Sequence, residues 1–263
     1  MTHRILFHEM EEEYMLHKEL LDGLALDYHE NSSFIDKLWE YEKETQYKIY
    51  PNSRTTKIDD RISSDESAFV HLLLNRKSRR QFNSEGIRLD SLGKLLSLSF
   101  GLNHRNEHGV RFRTYASAGA RYPIEVYPII LNSDDIGAGI YHYNVIDNSL
   151  ELIVSGNFGN AITEFYSNQD AISIAPCYIM FSMVYERTMN KYGERGYRFI
   201  YLDAGHMGQN LYLVAEHLGL GAVAIGAGRF NDKTIDHLIK INSCEESFFY
   251  GFAIGNPQNT TCE

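Results

Sequence analysis

From Tyr197 to Leu218 the chain runs without proline, and its apolar side chains fall at positions that wrap most of a helix circumference. A helix of that kind cannot lie on a surface; it is expected to be buried, either in a core or in a subunit interface. Just before it, Cys177 to Tyr185 is apolar on both faces, the pattern of a central strand. VYPIIL (126–131) reads as a further strand, and GIYHYNV (139–145) and SLELIVS (149–155) flank the turn Ile146-Asp147-Asn148 as a hairpin. Ala222–Ile225 and Phe248–Ile254 complete the strands, with a helix at Lys233–Lys240 between them. Helices are expected after Ser64-Asp65-Glu66-Ser67, with an apolar face of Phe69, Leu72 and Leu73. Others are expected from Asp90 to Leu102, with Leu92, Leu95, Leu96 and Leu98 apolar, and from Asn157 to Tyr166. The fold class is α+β, a mostly antiparallel central sheet flanked by helices. That domain is expected over residues 64–256, after a helical N-terminal extension over 1–60 in which Leu6, Met10, Tyr14, Leu21 and Tyr28 share one face.

Composition narrows the function. At 263 residues, 43% apolar and 23% charged, the chain has globular rather than disordered composition. Its net charge is -10, and residues 1–60 carry -7 of it. An acidic chain lacks the electrostatic footprint of a general nucleic-acid binder. No apolar run reaches the roughly 18–20 residues of a membrane helix. The first residues, MTHRILFHEMEEE, turn acidic at once, unlike a signal peptide. Three scattered cysteines (Cys177, Cys244, Cys262) make neither a disulfide framework nor a metal knuckle, so a reducing cytoplasm is expected. The histidines form no HExxH, and no GxSxG is present.

Four segments could carry chemistry. RKSRRQF (76–82) sets four cations and one hydroxyl within five residues. Arginine forks and a serine oxygen suit a phosphate, although a solvated basic turn would read the same way. In TYASAGARYP (114–123) the small residues Ser117, Ala118, Gly119 and Ala120 would let a flat ligand or phosphate approach the backbone, or would simply make a tight turn. GLGAVAIGAGRF (219–230) is glycine-rich but is not GxGxxG and has no βαβ unit around it, so a dinucleotide Rossmann site is excluded. KYGERGYR (191–198) follows the central strand and a short link and precedes the long helix, where a strand edge would deliver side chains to a cleft. A lysine acts as a base where desolvation disfavours its charge, and a tyrosine can donate or hold a proton. A surface loop with a solvated lysine is the bland alternative.

Taken in order, the four segments resemble the nitroreductase-like flavin enzymes, and more closely the SagB-type dehydrogenases that oxidise azolines in ribosomally made peptides. The resemblance covers about residues 64–256. It implies a nitroreductase-like fold and FMN as cofactor. The family's Arg-x-Ser-x-Arg/Lys-x-Phe run appears here as Arg76, Ser78, Arg80 and Phe82, with Arg76 expected at the phosphate end and Arg80 at the pyrimidine ring. Ala116-Ser117-Ala118-Gly119-Ala120-Arg121-Tyr122-Pro123 matches the small-residue segment, with Ala116 in place of proline and Arg121 in place of an apolar residue. Ser117, Ala118 and Gly119 are expected to contact the flavin. Lys191-Tyr192 before Arg195-Gly196-Tyr197-Arg198 matches a pair that general nitroreductases lack and that is associated with catalysis in azoline dehydrogenases. Gly221 and Ala222 would lie near the isoalloxazine, and Arg229 would be a second phosphate ligand.

The resemblance implies oxidation of thiazolines or oxazolines to thiazoles or oxazoles, with Lys191 and Tyr192 in proton handling, hydride passing to the flavin and oxygen reoxidising it. It also implies a homodimer with FMN between subunits, a precursor-peptide substrate and work alongside a cyclodehydratase. Two rivals remain: an NAD(P)H-dependent reductase of nitro, quinone or dehydroamino-acid substrates, and a flavin-binding scaffold subunit without turnover.

Overall fold

The apolar stretch after Pro176 forms β6 (Cys177–Val184), and its first seven residues are all buried, as a strand covered on both faces requires. The structure, a computed structural model, describes residues 53–58, 67–165, 175–225 and 233–258. The chain divides into two units, Met1–Ser67 and Ala68–Glu263. In the first, residues 53–58 form neither helix nor strand. The helical extension expected over residues 1–60 lies almost wholly outside the described residues.

In the second unit the order is α1 (Ala68–Asn75), α2 (Leu89–Phe100), β1 (Leu102–Glu107), β2 (Val110–Arg113), a 3-10 turn (Ala118–Ala120) and β3 (Ile124–Ile130). Then come β4 (Gly139–Asn144), β5 (Ser149–Ser155), α3 (Gly159–Phe165), β6, α4 (Tyr185–Tyr192) and α5 (Arg195–His217). The described chain ends with β7 (Gly221–Ile225), α6 (Lys233–Leu238) and β8 (Glu246–Gly255). Six strands make one antiparallel sheet in the order β5-β4-β3-β6-β8-β7. β1 and β2 pair apart from it.

Side chains alternate across a strand, so the sheet feeds two cores. Cys177, Ile179, Phe181 and Met183 join Leu92, Leu95 and Phe100 of α2 and Ile200, Met207 and Leu211 of α5. Tyr178 and Met180 point the other way, toward Phe82, Ile162, Ile235 and Ile239. Gly208 lets α5 reach the sheet, since a Cβ there would lie 2.9 Å from Phe252 Cζ.

Three expectations change. α5 is not buried all round: Gly196, Ile200, Asp203, Ala204, Met207 and Leu211 form a buried stripe, while Tyr201, Leu202, Gly205, His206 and Gln209 are exposed in the single chain. The α1 face also stays open, with Phe69 and Leu73 exposed, because none of the described residues of this unit covers that side of the helix. Leu98 of α2 is likewise exposed. β6 stops at Val184, and the segment read as a short link and loop is helix α4, which ends on Lys191-Tyr192. No described helix is long and apolar enough to cross a membrane.

Candidate functional site

Helix α4 delivers Lys191 and Tyr192 to the small-residue turn. Gly193 stops the helix with φ 57°, its N–H bonding Met189 O at 2.8 Å. α5 turns back at once, and Gly196 makes the close approach possible, since a Cβ there would lie 3.0 Å from Met189 Cα. The Tyr192 ring stands edge-on to Phe199 at 5.0 Å, and Lys191 Nζ lies 5.2 Å from the Tyr192 ring centroid. Gly119, in the left-handed region with φ 59°, passes directly against the pair. A Cβ at Gly119 would fall 2.5 Å from Tyr192 Oη and 2.7 Å from Lys191 Nζ. Lys191 is exposed and Tyr192 half-buried.

The turn is anchored from α5. Ser117 Oγ donates to Asp203 Oδ2 at 2.5 Å, and Ala118 N–H donates to Asp203 Oδ1 at 3.2 Å. Ser117 Oγ accepts from Tyr122 N–H at 2.9 Å, and His206 Nδ1 donates to Ala116 O at 3.0 Å. Burial pushes the Asp203 carboxyl above its usual range against the Ser117 and Ala118 hydrogen bonds, which favour the ionised form.

The cationic run lies along another side of α5. Arg76 stacks over the Tyr212 ring at 5.2 Å, and Ser78 Oγ is 3.2 Å from Tyr212 Oη. Arg79 pairs with Glu216 at 2.6 Å, and its backbone N–H donates to Ala222 O at 3.0 Å. A Cβ at Gly221 would meet Phe82 Cε1 at 3.0 Å and Arg79 Cβ at 3.3 Å, so this glycine lets β7 pack against the run. Phe82 is buried and Arg80 exposed. Arg229 lies outside the described residues.

The residues expected to share a site therefore fall into two groups. Asp203 and Tyr212 are nine residues apart on one helix, about half a turn out of phase at roughly 100° per residue. Ser117, Ala118, Gly119, Lys191 and Tyr192 gather on the Asp203 side; Arg76 and Ser78, with the neighbouring Gly221 and Ala222, lie on the Tyr212 side. Within one chain the two groups do not converge.

A charged chain braces α4 behind the pair. Arg187 Nη1 lies 2.5 Å from Glu125 Oε1 and donates to Tyr122 O at 3.1 Å. Glu125 meets His142 Nε2 at 3.2 Å, and His142 Nδ1 meets Glu151 at 2.8 Å. Burial works to raise the Glu125 carboxyl, but His142 and Arg187 outweigh it and hold the group below its usual range. The Glu125 hydrogen bond leads in raising His142, against burial and with help from Glu151. Sequence reasoning missed Asp203, Tyr212 and Arg187: each reads as an ordinary helix residue until its partners, distant in sequence, are known.

The cation run fits the anionic end of a cofactor: Arg76, leaning on the Tyr212 ring, and the exposed Arg80 offer forked cations suited to a phosphate.

Residues 73–256 match the Nitroreductase family model. The chain is 34% identical over 177 residues to a nitroreductase-family protein of Methanocaldococcus jannaschii, covering 67% of this chain and 86% of that one. It is 31% identical over 113 residues to the microcin B17-processing protein of Escherichia coli, covering 41% of this chain and 42% of the relative. A chain of the Escherichia coli microcin synthetase complex, solved with truncated pro-MccB17 bound, shares the fold at TM-score 0.59 and 21% identity over 84% of this chain and 87% of that one. With the family pattern matched from the end of α1 to the close of β8, on a sheet-and-helix frame of the same kind, the chain belongs to the nitroreductase family.

Proposed function

We propose that this chain is an FMN-dependent dehydrogenase that converts thiazolines or oxazolines of a ribosomally made peptide to thiazoles or oxazoles. The observation that carries the reading is the placement of Lys191 Nζ and Tyr192 Oη against the Gly119 turn, which brings two proton-handling groups together beside the small-residue segment. Similarity to a microcin-processing protein supports the same substrate class. FMN, when bound, supplies the two-electron acceptor. The chain's own residues do the rest. Arg76, Ser78 and Arg80 bind the phosphate and ring edge, with Gly221 and Ala222 holding that run in place. Lys191, exposed in the single chain, takes the azoline Cα proton once a second copy and the bound peptide cover it from water, and Tyr192 orients the ring through its hydroxyl.

Because the two groups lie on different sides of α5, the complete site is proposed to form between two copies, each giving its cation run to the other's Gly119 turn. The exposed Tyr201, Leu202 and Gly205 of α5 offer an apolar and small-residue face for such a contact. The homodimer acts in the cytoplasm on a peptide already cyclised by a cyclodehydratase with which it associates.

A second reading is favoured by the relationship to the Methanocaldococcus protein: an NAD(P)H-dependent reductase on the same frame. Anaerobic mixing with NADPH separates the two. A dehydrogenase leaves the bound flavin yellow on that timescale, and rapid bleaching identifies the reductase. Denaturation of the purified yellow protein should release FMN; release of FAD, or a colourless chain that takes up no FMN, overturns both.

A further inference from the structure

Asp203 is 2% exposed, yet it carries a carboxyl with only Ser117 and Ala118 as direct hydrogen-bond donors among the described residues. Burying such a group is costly, so the turn it holds demands an explanation. That turn is strained. Gly119 has φ 59°, but Ala120 (53°) and Tyr122 (47°) also adopt the left-handed region without being glycine. Residues of this kind persist where surrounding contacts over-determine them, and they cluster at functional sites. Here the contacts are Asp203 on Ser117 and Ala118, Ser117 Oγ on Tyr122 N–H, and His206 on Ala116 O.

The donors and acceptors of the turn set a further constraint. A serine hydroxyl has one proton and two lone pairs. The Ser117 proton is committed to Asp203, and one lone pair is taken by Tyr122 N–H. What remains toward any ligand is a lone pair.

We propose that Asp203 is a positioning residue that locks the Ser117–Tyr122 turn beneath Lys191 and Tyr192 and makes Ser117 a hydrogen-bond acceptor toward the cofactor, so that Ser117 receives an N–H or O–H of the bound flavin. The proposal rests on the flavin reading above. It selects among the flavin's polar groups: the ring imide N–H or a ribityl hydroxyl, and not a carbonyl oxygen or an unprotonated ring nitrogen.

Asp203→Asn tests it because asparagine has one accepting and one donating end. Accepting from Ala118 N–H puts its NH2 against Ser117 Oγ, which turns the serine proton outward and makes Ser117 a donor. FMN affinity and the absorption spectrum of bound FMN are measured by titration of the full-length apoprotein for wild type, Asp203→Asn, Ser117→Ala, their double mutant and Ser117→Thr. The expected result is about tenfold weaker FMN binding in Asp203→Asn and in Ser117→Ala. The double mutant should be no weaker than the worse single, since Asp203 acts through Ser117. Asp203→Asn should shift the bound-flavin spectrum, and Ser117→Thr, which keeps the hydroxyl, should restore affinity to within about twofold of wild type. Wild-type affinity and an unshifted spectrum in Asp203→Asn, or losses that multiply in the double mutant, would overturn the proposal. Should Asp203→Asn fail to fold, the Ser117→Ala and Ser117→Thr pair still decides: equal affinity in both contradicts an acceptor role. A wild-type chain that takes up no FMN removes the flavin reading and this inference together, whereas normal wild-type binding with indifferent variants removes the inference alone.

Discussion

Two sides of α5 hold their neighbours by different chemistry. On the Asp203 side one buried carboxyl takes a hydroxyl and a backbone amide, and the strained turn it anchors runs against Lys191 and Tyr192. On the Tyr212 side the partners are cations: Arg79 is spent on Glu216, while Arg76 leans on the Tyr212 ring and Arg80 is exposed. The first side has its polar groups matched within the chain and is suited to fix geometry. The second leaves guanidinium groups without a carboxylate partner among the described residues, which suits it to bind an anion. The contrast divides the expected site into a part that positions and a part that recognises, and it predicts that variants on the two sides fail in different ways.

The largest effect is expected on the positioning side. Lys191→Ala and Tyr192→Phe should keep FMN and the fold but lower azoline dehydrogenation by about 10²–10⁴-fold, as loss of positioned acid–base groups does. Cyclised, unoxidised peptide should accumulate. Lys191→Arg keeps the charge but cannot give up its proton near neutral pH, so it should be equally inactive. Near-native turnover in both lysine variants would make Lys191 a solvated helix-end residue. Gly119→Ala comes next: its Cβ would press on both Tyr192 Oη and Lys191 Nζ in a left-handed backbone. A displacement of about 1 Å can cost on the order of 10²-fold, and the loss should appear in kcat with FMN still bound.

The recognition side should respond in affinity. If Arg76 holds the phosphate as proposed, Arg76→Ala should cost about 1.5–3 kcal/mol, or one to two orders of magnitude in FMN dissociation constant, with turnover restored at saturating FMN. Arg79→Ala should behave otherwise. Its ion pair with Glu216 is 29% and 15% exposed at the two side chains, so the loss should be on the order of 1 kcal/mol of stability, read from the denaturation midpoint.

The smallest effect is a pH dependence outside both sides. His142 has a raised pKa, so its contribution is fully present below its unfolded value near about 6.5 and is lost as pH rises through the higher folded value. Glu125 is shifted down, so its share is present above about 4.3 and is lost as pH falls toward its lower folded value. Wild-type stability should thus fall as pH rises above about 6.5, and His142→Gln should flatten that fall. A parallel decline in both proteins would show that His142 is not the titrating group.

Much of the frame was legible in the sequence because it rests on periodicity. β3 and β6 follow from unbroken apolar runs of strand length, and the β4–β5 hairpin and the course of α5 from the turn between two strand patterns and a 3.6-residue period. Helix α4 was not legible: YERTMNKY is short, polar and follows directly on an apolar strand, so its helical form depends on the packing of Gly196 against it. The β1–β2 hairpin, LNHRNE and VRFR, carries too little apolar alternation to announce itself. Within the site, residue types pointed to Ser117, Gly119, Lys191 and Tyr192. The side of α5 that each group occupies depends on contacts such as Ser117 with Asp203, 86 residues apart. The openness of α5 and α1 also escaped the pattern, because apolar periodicity records that a face is covered without recording whether the same chain covers it.

The central proposal is that an azoline is oxidised at a flavin site where Lys191 and Tyr192 handle the proton and FMN would accept the electron pair, and the mass of the product tests it most directly. The FMN-loaded protein is incubated in air with a cyclised precursor peptide, its cyclodehydratase present. The account predicts a loss of about 2 Da for each azoline oxidised, abolished by Lys191→Ala while FMN stays bound. An unchanged peptide mass with full flavin occupancy and all partners present would contradict it.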